Sequence, residues 1–246
     1  MTQTMLITGA LTGIGRATAE LYAKDGVNLA ISGRRPAEGE ALAAELRKFG
    51  GKVEFFAADV RHEAEVEALV AKVVSRFGGL DVAVNNAETE GKTGPLVDQT
   101  VETYTATFDT NVLGVFLSLK YELRAMLAAG RGAIVNVSSF VGSRGAAGAG
   151  LYTASKHAVE GLTRVAALEG AAAGVRVNAV APGPVATGML DRFAGSPERV
   201  QAMAAGIPLQ RTGTPEEIAT AIRFLGSEAA GFVTGQILGA DGGKTA

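Results

Sequence analysis

Gln3-Thr4-Met5-Leu6-Ile7-Thr8-Gly9-Ala10-Leu11-Thr12-Gly13-Ile14-Gly15 opens the chain, and its reading decides the fold. Gln3 to Ile7 is a short apolar run that reads as a strand, and Thr8 begins a turn containing three glycines. A helical pattern follows through Ala17, Leu21 and Tyr22. Strand, glycine turn and helix in that order suit a dinucleotide. The glycines let the backbone approach a pyrophosphate, and the free N–H groups at the positive end of the helix face the anion. The same geometry without a ligand is only a tight strand-to-helix turn. Its place at the head of a parallel α/β pattern favours binding, with Gly9, Thr12, Gly13, Ile14 and Gly15 as candidate contacts.

Outward from that turn, apolar runs alternate with helical patterns. Strands are expected at Val27–Ser32, Lys52–Ala57, Leu80–Val84, Ala133–Val137, Val175–Val180 and Gln236–Ala240. Helices are expected at Ala37–Phe49, from near His62, from about Val101 to Ala128, from Tyr152 to near Gly174, and after a Thr214 cap with Pro215 at the first helical position. This pattern predicts one α/β domain over residues 1–246, a seven-stranded, doubly wound parallel sheet flanked by helices. From Gly188 to Arg211 periodicity is weak, and Met189, Leu190, Phe193 and Met203 suggest a helical lid over an apolar substrate.

Composition excludes several functions. The net charge of −2 and the lack of a dense Lys/Arg run give no reason to expect nucleic acid or a membrane surface as partner. Without cysteine there are no disulfides, thiolate metal sites or cysteine nucleophiles, and with only His62 and His157 no metal site is expected. The chain enters its first strand almost at once and has no long apolar run, so a cytoplasmic soluble protein is the simplest reading.

Two further stretches carry chemistry. The second strand ends at Ser32-Gly33-Arg34-Arg35, where such folds meet the adenosine ribose. An acid there would bond the ribose hydroxyls and repel a 2′-phosphate. The arginines, with Ser32 as an extra donor, read as a phosphate clamp selecting NADP, or else as a solvated pair opening the next helix. In Leu151-Tyr152-Thr153-Ala154-Ser155-Lys156, the tyrosine and lysine stand four apart at the start of a helix and share a face. A nearby ammonium favours the phenolate, so Tyr152 is expected to exchange a proton near neutral pH.

These motifs, with Ala133-Ile134-Val135-Asn136-Val137 running into Ser138-Ser139, resemble the short-chain dehydrogenase/reductase family in its single-domain form over essentially the whole chain. The glycine spacing Gly-x-x-x-Gly-x-Gly is the form that family uses. The resemblance implies that Asn111, Ser139, Tyr152 and Lys156 are catalytic. Ser139, thirteen positions before Tyr152, would hold the carbonyl, while Lys156 would also bind the nicotinamide ribose. Asn111, read from its apolar neighbours as a buried amide, would distort its helix and relay protons through water. By the same resemblance Asp59 and Val60 would meet the adenine, and Asn86 and Ala87 would lie along the cofactor. Pro182, Gly183, Val185 and Thr187 would border the nicotinamide and diphosphate.

One residue departs from the family pattern: Asn85-Asn86-Ala87-Glu88 stands where the family has Asn-Asn-Ala-Gly. Either Glu88 turns outward to solvent or cofactor affinity is reduced. The expected activity is that of an NADP(H)-preferring carbonyl reductase or alcohol dehydrogenase acting on a small ketone or alcohol, assembled as a homotetramer or dimer. A 3-oxoacyl carrier-protein reductase, with Arg124 and Arg131 as a carrier-binding patch, or a sugar or steroid dehydrogenase are alternatives. A nucleotide-binding regulator without catalysis is the reading from another class, and only Glu88 favours it.

Overall fold

The computed structural model describes residues 2–246. Seven strands, β1 (Thr4–Thr8), β2 (Asn28–Gly33), β3 (Val53–Ala57), β4 (Val82–Asn85), β5 (Gly132–Val137), β6 (Val175–Pro182) and β7 (Ile237–Ala240), form one sheet in the order β3-β2-β1-β4-β5-β6-β7. Every pairing is parallel. The expected seven-stranded α/β architecture is the one observed.

The helices follow the strands: α1 (Gly13–Lys24), α2 (Pro36–Leu46), α3 (Glu63–Phe77), α4 (Val101–Phe108), α5 (Gly114–Ala129), α6 (Gly150–Gly170), α7 (Gly188–Ala194), α8 (Pro197–Ala205) and α9 (Pro215–Gly226). Alternation along the strands builds two cores. Met5, Ile7, Leu29, Ile31, Val82 and Val84 pack on one face with Tyr22, Leu42 and Leu225 from α1, α2 and α9. Leu6, Ala30, Ala83 and Ile134 pack on the other with Leu69, Leu119 and Val159 from α3, α5 and α6. Strands covered on both faces must be apolar throughout, which is why β1 is buried along its whole length.

From β1 the chain runs outward through β2 to β3, and the crossover through α3 then returns it to β4 on the other side of β1, where the strand order reverses. That switch point opens a crevice at the carboxyl ends of the strands, and the candidate site lies there.

The helix expected from Val101 to Ala128 spans that stretch, with the distortion expected at Asn111. It runs as α4, one π turn over Asp109–Leu113, then α5. Asn111 lies in that turn, 1 % exposed, and its side chain bonds outside the helix. A wide turn re-aims a residue at a modest cost in helix geometry.

Candidate active site

The glycine turn is shaped by close packing. Gly9 and Gly13 adopt φ of +65° and +54°, where a side chain is strained. A Cβ on Gly9 would lie 2.7 Å from the Ala87 Cα, and one on Gly15 would lie 2.3 Å from the Gly9 carbonyl oxygen. The loop after β4 is bonded to the same turn. The Asn86 side-chain amide donates to the Thr8 and Gly9 carbonyls at 3.2 and 3.0 Å, and the Asn86 and Ala87 N–H groups donate to the Thr8 hydroxyl. Thr12 is the N-cap of α1 but its side chain makes no capping bond, and no acid lies in the first turn. The positive end of α1 is therefore left open.

Ser32, Arg34 and Arg35 line the next part of the crevice. Ser32 is buried, and its hydroxyl has no partner among the described residues. Arg34 is 68 % exposed and 3.9 Å from Asp59, while Arg35 pairs with Glu38 at 2.9 Å. Asp59 is gripped by Arg61 through bonds of 3.0 and 2.6 Å, and this guanidinium holds its carboxyl below the usual range. Its side chain therefore does not serve as cap of α3, which starts after His62 without a side-chain cap.

At the other end of the crevice, β5 delivers Ser138 and Ser139 to different environments. Both line the cavity, but the Ser138 hydroxyl donates to buried Glu160 at 3.1 Å, whereas Ser139 caps a short turn. Tyr152, in the first turn of α6, faces the same cavity. Lys156, one turn on, is 1 % exposed; its ammonium lies 5.5 Å from the Tyr152 ring centre and donates to the Val137 carbonyl at 2.8 Å.

Glu88 neither turns outward nor stands clear. Its carboxylate makes an ion pair with Lys156 and accepts from the Tyr152 hydroxyl at 3.4 Å, with 14 % of the side chain exposed. This corrects the expectation that Lys156 brings Tyr152 toward neutral pH. Burial and the Glu88 carboxylate hold the phenol well above its ordinary value, although the Ser139 hydroxyl acts the other way. The lysine sits where the spacing puts it, but a carboxylate unseen by helical periodicity occupies its charge.

Asn111 fixes the loop that carries Glu88. Its side-chain oxygen accepts from the Thr89 N–H at 2.8 Å, and its amide donates to the Thr89 carbonyl at 2.9 Å and the Ser155 hydroxyl at 3.0 Å. The amide thus ties loop, π turn and α6 together, as its expected burial required.

One cavity of about 1030 Å³ joins both ends. Of the expected residues, Gly9, Thr12, Gly13, Ile14, Ser32, Arg34, Arg35, Asp59, Val60, Asn86, Ala87, Ser139, Tyr152, Pro182, Gly183, Val185 and Thr187 line it. Gly15, Asn111 and Lys156 lie just behind its wall. α7 and α8 contribute Leu190, Phe193 and Met203. Sequence reasoning misses Leu11, which packs under Gly33, the Glu90–Arg192 ion pair at 2.5 Å and Lys244 near the C-terminus. None of these has a periodic or motif signal. Arg131 is bonded to Asp81 and Arg124 lies over the Tyr121 ring, and neither lines the cavity.

Residues 9–245 match the family described as enoyl-(acyl carrier protein) reductase. The chain is 45 % identical to the cis-4-hydroxycyclohexanecarboxylate dehydrogenase of Sinomonas cyclohexanicum, covering 98 % of this chain and 96 % of that one. It is 43 % identical to a 2,5-dichloro-2,5-cyclohexadiene-1,4-diol dehydrogenase of Sphingobium indicum, over 99 % and 97 % of the two chains. Among solved structures, levodione reductase superposes with a TM-score of 0.95 at 35 % identity, over 98 % and 97 %. ElxO with NADP bound (TM-score 0.93, 36 % identity, 99 % of each chain) and NAD+-bound xylitol dehydrogenase (0.94, 32 %, 98 % of each) are similarly close. The chain belongs to the short-chain dehydrogenase/reductase family. It is an oxidoreductase acting on alcohol or ketone groups, in a family that binds NAD or NADP.

Proposed function

We propose that the protein interconverts a cyclic ketone and its secondary alcohol with NADP(H). The observation that carries this reading is the shared cavity, which brings Ser139 and Tyr152 to one end and the open glycine turn with Ser32 and Arg34 to the other. Its residues fit the dinucleotide. The uncapped end of α1 suits a diphosphate, and the orphan Ser32 hydroxyl beside Arg34 suits a 2′-phosphate. Ile14, Asp59 and Val60 would border the adenosine half. Asn86, Ala87, Pro182, Gly183, Val185 and Thr187 would border the nicotinamide half. Bound there, the nicotinamide supplies the hydride.

The protein's own groups handle the oxygen. Ser139 and Tyr152 hydrogen-bond the carbonyl, and Tyr152 gives its proton to the developing alkoxide. Lys156 places its charge behind the phenol. Asn111, bonded to Ser155 beside Lys156, would take part in returning the proton through water. α7 and α8 act as the lid, and their apolar residues, like the ring-bearing names of the relatives, favour an alicyclic substrate.

Assembly as a homotetramer or dimer is part of the proposal, supported by Leu113, Phe116, Leu127, Val165 and Leu168 standing exposed on and beside α5 and α6.

The test is NADPH consumption with cyclohexanones, diketones and β-ketoacyl thioesters, run beside NADH. Turnover of a cyclic ketone with NADPH supports the reading. Preference for NADH overturns the arginine clamp, and turnover of thioesters alone overturns the substrate class.

A further inference from the structure

Glu88 is the one acid among the described residues that reaches the Tyr152–Lys156 pair directly. Three observations fix it there. Its loop lies against the glycine turn, because Ala87 fills the space a Cβ on Gly9 would need. The following residue, Thr89, is pinned by Asn111 through both its N–H and its carbonyl, so the loop does not recede from the crevice. The carboxylate then meets Lys156 and the Tyr152 hydroxyl together. The other charged groups nearby do not substitute for it: Glu90 is held by Arg192 of α7, and Lys156 is otherwise bonded only to the Val137 carbonyl.

A carboxylate in this place has two effects. It cancels the buried ammonium at the reaction end of the cavity, and it sets a negative charge on the wall of a space that receives an anionic ligand. Both oppose binding, and both are relieved if Glu88 gives up Lys156 and turns from the wall.

We propose that Glu88 is a positioning residue that clamps Lys156 in the free protein and must release it when the dinucleotide binds, so that the Glu88–Lys156 pair opposes ligand binding. This inference rests on the dinucleotide reading above. Breaking that ion pair has a cost that the ligand must offset, so removing the Glu88 charge should tighten binding.

The decisive comparison is Glu88→Gln, which keeps the shape and removes the charge, with Glu88→Gly as a second variant lacking the side chain. Titration of NADPH and of NADH by fluorescence gives the affinities, and both variants should bind each ligand about tenfold more tightly than the parent. Without ligand, Glu88→Gln should melt lower, since Lys156 loses its partner.

A lower melting temperature with unchanged affinity would mean that Glu88 is merely structural, and would overturn the proposal. If parent and variants all bind no dinucleotide, the functional reading fails and this one with it. If all bind equally well, only this one fails.

Discussion

The two ends of the cavity satisfy their polar groups in opposite ways. At the glycine-turn end the groups are left open: the start of α1 has no capping side chain, the Ser32 hydroxyl has no partner, and Arg34 extends into solvent. At the Tyr152 end the charges are spent inside the protein, Lys156 on Glu88 and Glu90 on Arg192. An open set of donors waits for an anion at little reorganisation cost. A closed set must exchange one partner for another, and that exchange is where the ligand enters. The first end resembles a socket and the second a latch.

Removing the proton donor should separate the two ends most sharply. Tyr152→Phe keeps the ring and should cost roughly 10²–10⁴-fold in turnover, read as kcat, while leaving NADPH affinity within about threefold. The pH profile bears on the same group. With the phenol held neutral by burial and Glu88, ketone reduction should be flat around neutrality, and alcohol oxidation, which needs the phenolate, should climb as pH rises above it. An oxidation rate that peaks near pH 7 would show that Lys156 governs Tyr152 despite Glu88.

Beneath the latch lies a carboxyl with no cation at all. Glu122 is fully buried, accepts one bond from Asn85 at 2.9 Å, and is pushed up to about 7 by burial. Because its folded value lies above the ordinary one, the native state holds the extra proton between about 4.5 and about 7. Stability from this group is full below that window and is lost as pH rises through it, by about 3 kcal/mol. Glu122→Gln should flatten the loss, so the variant gains in denaturant midpoint over the parent at pH 8 but not at pH 5. Equal midpoints at both pH values would show that Glu122 is not held protonated.

A smaller effect tests the socket. Arg34→Ala should raise the NADPH Kd about tenfold or more and leave NADH within about twofold, since one charge-assisted contact to a phosphate is worth about 1.5–3 kcal/mol. Equal losses for both ligands would mean that Arg34 supports the turn and does not read the phosphate.

Much of the fold and of the site is legible in the order of the amino acids, for reasons that differ between elements. The seven strands announce themselves because a parallel sheet covered on both faces demands continuous apolar runs, and Met5–Ile7 or Ile134–Val137 admit no other use. The helix over Val101–Ala128 is legible as one element, and its distortion at Asn111 is expected from the family resemblance and not from periodicity. The π turn arises from bonds that Asn111 makes to Thr89 and Ser155, residues remote in sequence. Ser139 and Tyr152 carry a motif spacing and do reach one cavity. Glu90, Arg192 and Lys244 carry none and reach it only through the folding of the lid and the C-terminus.

Local periodicity and spacing are enough to specify the sheet, the glycine turn, the arginines at the end of β2 and the shared face of Tyr152 and Lys156, since each of these follows from near neighbours in the chain. The direction of Glu88 comes from tertiary packing alone. Its carboxylate meets a lysine of α6 because the β4 loop and that helix converge at the same strand ends, and pairing of charges across a crevice depends on distance in space, which no local pattern encodes.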